Sequence, residues 1–277
     1  MANLHKIKKN LKAVSAIKAI TATYREISQK EMKDIREKAL RNREFIEKLS
    51  KMCTVARKSY LLEKEENGED TVKGKKKTVS IFFSANSKFY GALVLAVWRD
   101  IPEFMKTTDN DLLIIGEVGK RLVEKNNPDK KFSYFQLDDE RPSKEELKAI
   151  IDFIKKYDRI IAFHGRFKTI LNQETGRTNI SAESGDEEEE DVPSYLFEPS
   201  PEDILKFFEK ELIAAFFNQA FLEHRLSRHA TRMVAMHRAE ENAKERREKL
   251  TREIKKIEKR TMDKKQLEII IPYHLWK

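Results

Sequence analysis

The sequence predicts an α/β domain inserted between two long helices, one near each end of the chain, that pair as an antiparallel coiled coil. Neither residues 1–67 nor residues 205–271 contain glycine or proline, and both stretches repeat apolar residues at steps of three and four. Strand-like and helix-like runs alternate between them, as in a largely parallel sheet. We therefore expect an N-terminal coiled-coil helix at 1–62, a linker at 63–77, an α/β, Rossmann-like domain at 78–180, an acidic loop and turn at 181–200, and a C-terminal coiled-coil helix at 201–277.

The first helix is predicted from a row of apolar residues that extends over about 55 residues, or ~80 Å. The row that we expect to face the partner helix is Leu4, Ile7, Leu11, Val14, Ile17, Thr21, Tyr24, Ile27, Met32, Ile35, Ala39, Ile46 and Leu49. Cys53 lies on the same helix and is the single cysteine of the chain. No disulfide can form within the chain, so we expect Cys53 to be a small buried apolar residue.

The middle of the chain reads as alternating strands and helices. Ser143 with Glu146 three residues later is the pattern of a capping box and predicts the start of a helix. Two more helices are expected around Ala92–Trp98 and Lys120–Glu124. The expected strands are Thr78–Phe83, Asp111–Gly116, Phe132–Leu137 and Arg159–Phe163, with a further edge strand at Phe167–Asn172.

The last helix is predicted to begin at Pro201 with Ser200 as its N-cap, because proline suits the first helical position. The acidic run Ser184–Asp191 before it repels itself and is expected to be a disordered loop. The expected row facing the first helix is Leu226, Ala230, Met233, Met236, Ala243, Leu250, Ile254, Ile257 and Thr261.

Charge is distributed unevenly along the chain. Residues 1–60 carry 16 Lys and Arg against 6 Asp and Glu, and residues 205–277 carry 18 against 11, while the whole chain has a net charge of +9. The two helices are therefore basic and the middle is acidic, which suits a partner that is acidic, either nucleic acid or a ring of protein carboxylates. No run of 18 apolar residues is present, so we expect neither a membrane span nor direct insertion into lipid.

No motif for catalysis or for a cofactor emerges from the residues. Gly116-Glu117-Val118-Gly119-Lys120 has two residues between its glycines, whereas a P-loop needs four and a hydroxyl after the lysine. His224, His229 and His237 are five and eight residues apart, so they do not align as metal ligands and are expected on the helix surface. We therefore expect no catalytic residue, cofactor or metal. RNA binding by the basic helices stays open, although Tyr24 is the main aromatic on their charged faces.

Residue identities in the last helix resemble the γ subunit of F-type rotary ATP synthases. In that family a Ser, an Ala-x-Arg-Met-x-Ala-Met core and an Asn-Ala follow in this order, as in Ser227–Met236 with Asn242 and Ala243. The segment Tyr195–Pro201 resembles the family's approach to this helix. At the front, Ile7–Leu11 and Val14–Thr21 resemble its first helix, so the resemblance covers essentially the whole chain.

The chain also departs from the family pattern at several places. Ala22-Thr23-Tyr24 replaces Lys-Ala-Met after the first Ile-Thr pair. The turn Ser84–Gly91 keeps only the first Ser and the last Gly of its Ser-Asp-Arg-Gly-Leu-Cys-Gly-Gly motif. Residues 254–259 and 262–263 replace its Tyr-Asn-x-x-Arg-Gln and Ile-Thr, which are polar contacts with the catalytic subunits in the family. These departures are compatible with a specialised rotary motor.

The resemblance implies a non-catalytic central shaft that couples rotation in an α/β catalytic hexamer to an ion-driven ring, at the cytoplasmic face of the cell membrane. The implied partners are the α and β subunits, an ε-type subunit and the membrane c-type ring, with no direct nucleic acid. The residues that we expect to contact the hexamer are Lys18, Thr21, Arg25, Arg232, Met233, Met236, Arg252, Lys255, Lys256, Lys259, Lys264, Ile269 and Ile270. A shaft of an F-type-like ATPase that is not coupled to ion transport, and an RNA-binding coiled coil, are the alternatives.

Overall fold

The computed structural model describes residues 2–67, 77–87, 89–107, 110–181, 198 and 200–275. Contacts divide the chain into two units: a helical unit, residues 1–28 with 232–277, and a sheet unit, residues 29–231. Two helices of 66 and 75 residues contribute to both units. In chain order the elements are α1 Ala2–Asn67, β1 Thr78–Phe83, α2 Leu93–Thr107, β2 Asp111–Ile115, α3 Glu117–Asn126, β3 Ser133–Phe135, α4 Lys144–Ile154, β4 Arg159–Phe167, β5 Gln173–Asn179 and α5 Pro201–Leu275.

The long helices and the parallel sheet were both expected, and both are present. The sheet has the order β3-β2-β1-β4-β5, and its first four strands are parallel. The predicted caps are also confirmed: Ser143 and Glu146 form a capping box at α4, and the Ser200 hydroxyl accepts a hydrogen bond from Asp203 N–H at the start of α5. The expected loop at Ser184–Asp191 and the residues Tyr195–Phe197 lie outside the described residues.

The prediction of an edge strand at Phe167–Asn172 is wrong. β4 continues to Phe167, and the edge strand is β5, which pairs antiparallel with β4. Between them the chain turns, since Thr169 N–H donates to Asn172 O and Asn172 N–H donates back to Thr169 Oγ1. The apolar pair Ile170 and Leu171 suggested a strand, but both side chains are exposed in this turn.

Apolar side chains cover both faces of the sheet. One face packs against α2 and α3 through Val97, Ile101 and Val123, and the other packs against α4 and α5 through Ile150 and Phe217. Because both faces are buried, β1, β2 and β4 are nearly continuous apolar runs. The sheet therefore fixes where α5 lies within this unit.

In the sheet unit, α1 pairs with α5 in antiparallel fashion. Asn42 Nδ2 donates to Ala215 O at 3.0 Å, whereas Arg57, further along α1, contacts Glu209, earlier in α5, at 3.1 Å. Cys53 is buried in the apolar contact between the two helices, as expected. Its thiol has a raised pKa, chiefly because burial disfavours the thiolate.

Candidate partner-contact surface

The helical unit is also an antiparallel pair of α1 and α5. Lys8 contacts Glu258 at 2.8 Å and Arg25 contacts Glu240 at 3.1 Å. The less exposed positions of α1 follow regular steps of three and four through residues 4, 7, 11, 14, 18, 21, 25 and 28. The row that faces α5 therefore turns polar where it reaches Lys18, Thr21, Arg25 and Ser28.

The predicted row of α1 is wrong at Ile17 and Ile27. Their side chains are 51% and 41% exposed, because the regular step places Lys18 and Arg25 between the helices instead. Arg25 forms an ion pair with Glu240 there, and the Thr21 hydroxyl donates to Ile17 O, so both polar side chains have a partner at these positions. At these two positions the apolar character of the residues predicted the wrong face of α1.

Several of the residues expected to contact the catalytic hexamer lie between the two helices of the helical unit. Thr21, Arg232 and Met236 are buried, and Arg25 and Met233 are half-buried. The Arg232 guanidinium lies 5.6 Å from the centre of the Tyr24 ring, a cation–π contact between the two helices. We therefore expect these side chains to shape the pair, and their contact with a partner stays a prediction.

Most of the predicted basic contacts lie on the outer surface. The exposed ones are Arg252, Lys255, Lys256, Lys259 and Lys264, all on α5, while Lys18 on α1 is half-buried. Ile269 and Ile270 belong to α5, but their side chains lie outside the described residues. The cations of α5 are therefore accessible on the helix surface, and their contact with an acidic partner stays a prediction.

Sequence reasoning missed an apolar stripe on the outer face of α1. Ile17, Ile20 and Ile27 are 51%, 56% and 41% exposed, and their spacing of three and seven places them on one side of the helix. Exposed isoleucines on a charged helix indicate a contact surface. The sequence carries no signal that separates this stripe from the row facing α5, because both rows fit steps of three and four.

Polar residues of α5 also bind the carboxyl ends of the strands in the sheet unit. His224 Nε2 donates to Ser84 O at 3.0 Å, and its Nδ1 accepts from Gly165 N–H at 2.9 Å. Arg228 donates to Ser84 O at 3.1 Å and forms a 2.5 Å ion pair with Asp139. We call these five residues the polar anchor.

Burial sets the protonation of the polar anchor. Desolvation is the main cause that holds the pKa of His224 well below its ordinary value, and the nearby Arg228 charge adds to it. For Asp139 burial alone would raise the pKa, but Arg228 and the N–H groups of Ser87 and Asn86 outweigh it and lower the pKa. A neutral His224 and an ionised Asp139 are therefore held within the sheet unit.

The expectation that the histidines of the last helix lie on its surface is wrong for two of them. His224 and His229 are 1% and 0% exposed, whereas His237 is exposed. His229 meets the Tyr90 ring edge-on at 6.1 Å between ring centres. The sheet covers this part of α5, which a helix taken alone does not reveal.

The N-terminus of α3, where a phosphate would bind, is occupied by the protein itself. Glu117 N–H donates to Asn86 Oδ1 at 3.0 Å and Val118 N–H donates to Ala85 O at 2.8 Å. Among the described residues, no group of His, Cys, Asp and Glu could hold a metal ion. Within the same residues, no helix is both long and apolar enough to cross a membrane.

Comparison with known proteins gives consistent matches over nearly the whole chain. The family model described as ATP synthase matches residues 3–271. The ATP synthase gamma chain of Christiangramia forsetii is 25% identical over 98% of this chain and 97% of its own length. That of Rickettsia canadensis is 22% identical over 98% of both chains.

Solved structures share the fold. A chain from the central stalk and c-ring structure of the Tetrahymena thermophila mitochondrial ATP synthase has a TM-score of 0.58 at 18% identity, covering 79% of this chain and 99% of its own. A chain of the Euglena gracilis mitochondrial ATP synthase has a TM-score of 0.53 at 15% identity, covering 86% and 92%. Since the family model covers residues 3–271, the chain belongs to this ATP synthase family, and the relatives that it resembles along nearly their whole length are gamma chains.

Proposed function

We propose that this chain couples rotation inside a hexamer of α and β catalytic subunits to a membrane c-type ring, as the rotor shaft of an F-type ATP synthase. In this proposal the helical unit turns within the hexamer, and the sheet unit contacts the ring together with an ε-type subunit. The complex is peripheral, at the cytoplasmic face of the cell membrane. The observation that carries the proposal is the outer surface of the helical unit, where exposed cations of α5 and exposed isoleucines of α1 occur in one antiparallel helix pair.

Such a surface acts on the catalytic sites by contacting them unequally. A single shaft inside a ring of repeated subunits cannot make the same contacts with each, so each subunit is biased toward a different conformation. Shifting one site from 1:99 to 99:1 requires about 5.5 kcal/mol of differential binding. The surface has to supply a free energy of this size.

The exposed residues are sufficient for it. The isoleucines Ile17, Ile20 and Ile27 are each about half exposed, so covering one contributes roughly 1 kcal/mol. An exposed ion pair contributes roughly 0.5 kcal/mol, and five exposed cations are present among the predicted contacts on α5. Together these contacts give about 5.5 kcal/mol, comparable to the shift required. Exposed pairs are also individually weak, which permits the shaft to move past one carboxylate to the next.

Charge reversal on α5 tests the proposal. Lys255→Glu, Lys256→Glu and Lys259→Glu together replace three exposed cations with carboxylates. In a complex reconstituted with the catalytic subunits, we expect weaker assembly or a stalled ATPase, because like charges then face an acidic partner.

A matched reversal of exposed lysines in the sheet unit serves as control. Lys125→Glu, Lys130→Glu and Lys131→Glu change the net charge by the same amount. Assembly and ATPase activity of the α and β subunits with this control are expected to match wild type. Wild-type activity of the α5 reversal would contradict the contact surface.

A further inference from the structure

We propose that the polar anchor is a torque joint: His224 and Arg228 are positioning residues that lock the rotational orientation of α5 against the sheet. The proposal rests on the shaft function, because only a rotating subunit must transmit torque between its sheet and its helix. Both side chains are buried and hydrogen-bonded to segments of the sheet. Their bonds are directional, and this property gives the joint its function.

The apolar contacts of α5 with the sheet do not fix its orientation by themselves. Phe217 and Phe221 pack against Phe83 with ring centres 5.3 and 6.2 Å apart. Apolar burial is non-directional, so a small rotation of the helix exchanges one apolar contact for another. A helix held only by this apolar face would rotate relative to the sheet under torque.

The polar anchor follows one turn later on the same helix and has no such tolerance. His224 uses both ring nitrogens, one as donor to Ser84 O and one as acceptor from Gly165 N–H, so it joins the ends of β1 and β4. Arg228 joins Ser84 O to Asp139, on the segment after β3. Three segments at the carboxyl edge of the sheet therefore meet two side chains of α5.

Geometry shows how tightly these bonds define the helix orientation. Side-chain tips lie about 5–6 Å from a helix axis, so a rotation of about 20° moves them by about 2 Å. Hydrogen bonds between nitrogen and oxygen lie within 2.7–3.2 Å, so this rotation would break them. Because His224 and Arg228 are each 1% exposed, water cannot replace the lost partners.

The loop that carries Asn86 and Ser87 is fixed by the same ion pair. Asp139 accepts from Asn86 N–H at 3.0 Å and from Ser87 N–H at 2.8 Å while it pairs with Arg228. Rotation of α5 would therefore also disturb this loop. The joint consists of a connected set of bonds.

His224→Phe tests the joint, since phenylalanine keeps the ring and its burial but removes both hydrogen bonds. The chain is assembled with its catalytic subunits, and the hexamer of catalytic subunits is fixed to a surface. The angular variance of a probe bound to the chain is then recorded without nucleotide. One probe is attached through Lys148→Cys on α4, the other through Lys210→Cys on α5; both positions are exposed, whereas Cys53 is buried. The difference between the two probes reports the compliance between sheet and helix.

The expected result follows from the number of bonds. Five hydrogen bonds join His224 and Arg228 to the sheet segments, and the substitution removes two of them. For equal springs in parallel the variance of the α4 probe in excess of that of the α5 probe should rise about 1.7-fold, with no change for the α5 probe itself. Exchange of the Gly165 amide should become at least about fivefold faster, since its acceptor is lost.

Two further variants separate positioning from stability. His224→Gln offers one donor and one acceptor and is expected to restore part of the wild-type variance. Phe217→Leu weakens apolar packing on the same helix face and should leave the variance unchanged. If His224→Phe does not assemble, Arg228→Lys, which removes the fork to Ser84 O and Asp139 but keeps the charge, should likewise raise the variance of the α4 probe above that of the α5 probe.

Two results would overturn the inference: wild-type variance of the α4 probe in His224→Phe, or an equal rise in Phe217→Leu. A wild-type chain that binds no catalytic subunits would instead contradict the shaft function, and the joint with it. The two failures are therefore distinguishable.

Discussion

Replacing Arg228 by methionine should destabilise the sheet unit strongly. Methionine keeps the long apolar stem but removes the guanidinium that pairs with Asp139 at 2.5 Å. Arg228 is 1% exposed and Asp139 is also buried, so water reaches neither group. The variant therefore retains a buried carboxylate with only the two N–H groups of Asn86 and Ser87 as donors.

The unpaired charge of Asp139 sets the size of the loss in unfolding free energy. Removing one partner of a buried ion pair costs about 3–5 kcal/mol, because the other charge stays buried without compensation. In the wild type the pKa of Asp139 is lowered, so its contribution is present above the unfolded pKa of about 3.9 and is lost as pH falls through the folded value. In Arg228→Met burial dominates and raises this pKa, so protonation relieves the unpaired charge and the deficit shrinks toward pH 4.

Urea unfolding of the full chain at pH 7 and pH 4 measures both effects. Fluorescence of Trp98, which packs on Phe82 with ring centres 5.7 Å apart, reports the sheet unit. Arg121→Met removes an exposed ion pair with Glu117 and should leave the midpoint unchanged. A loss below about 1 kcal/mol at pH 7, or an equal loss at both pH values, would refute the reasoning.

Two further substitutions probe the sheet unit. Gly91→Ala should cost about 1–3 kcal/mol of unfolding free energy, because φ is +61° and the added Cβ would lie 2.4 Å from Thr231 Cγ2. Gly176→Ala, whose Cβ meets its nearest neighbour at 3.4 Å, is the control, and an equal loss in both would contradict this explanation. Ser143→Ala should cost about 1 kcal/mol in the same urea assay, since α4 loses its capping box with Glu146, whereas Ser143→Asp should restore it.

Much of the fold follows from local patterns. The buried strands β1, β2 and β4 were predictable because a strand covered on both faces must be a continuous apolar run. The capping box of α4 and the N-cap Ser200 were predictable because their partners lie three residues away. The apolar repeats at steps of three and four near both ends of the chain then predicted the pairing of α1 with α5.

The parts that could not be predicted depend on long-range contacts. Ile17 and Ile27 fit a three–four repeat as well as Lys18 and Arg25 do, and only the opposite helix, with Glu240, decides between the two rows. In the polar anchor Arg228 pairs with Asp139, which lies 89 residues earlier in the chain. No local spacing in the sequence predicts such a pair. Neither the isoleucine stripe of α1 nor the polar anchor could therefore be predicted without the packed chain.

The most direct test of the shaft function is a pull-down of this protein from its own cells, followed by identification of its companions and an ATPase assay. We expect recovery of two nucleotide-binding subunits as a hexamer with ATPase activity, and ring subunits in the same complex when it drives or is driven by ion flow. A hexamer with ATPase activity and no ring would indicate a shaft that is not coupled to ions. Recovery of the chain alone, or with RNA that dissociates steeply with salt, would contradict the account.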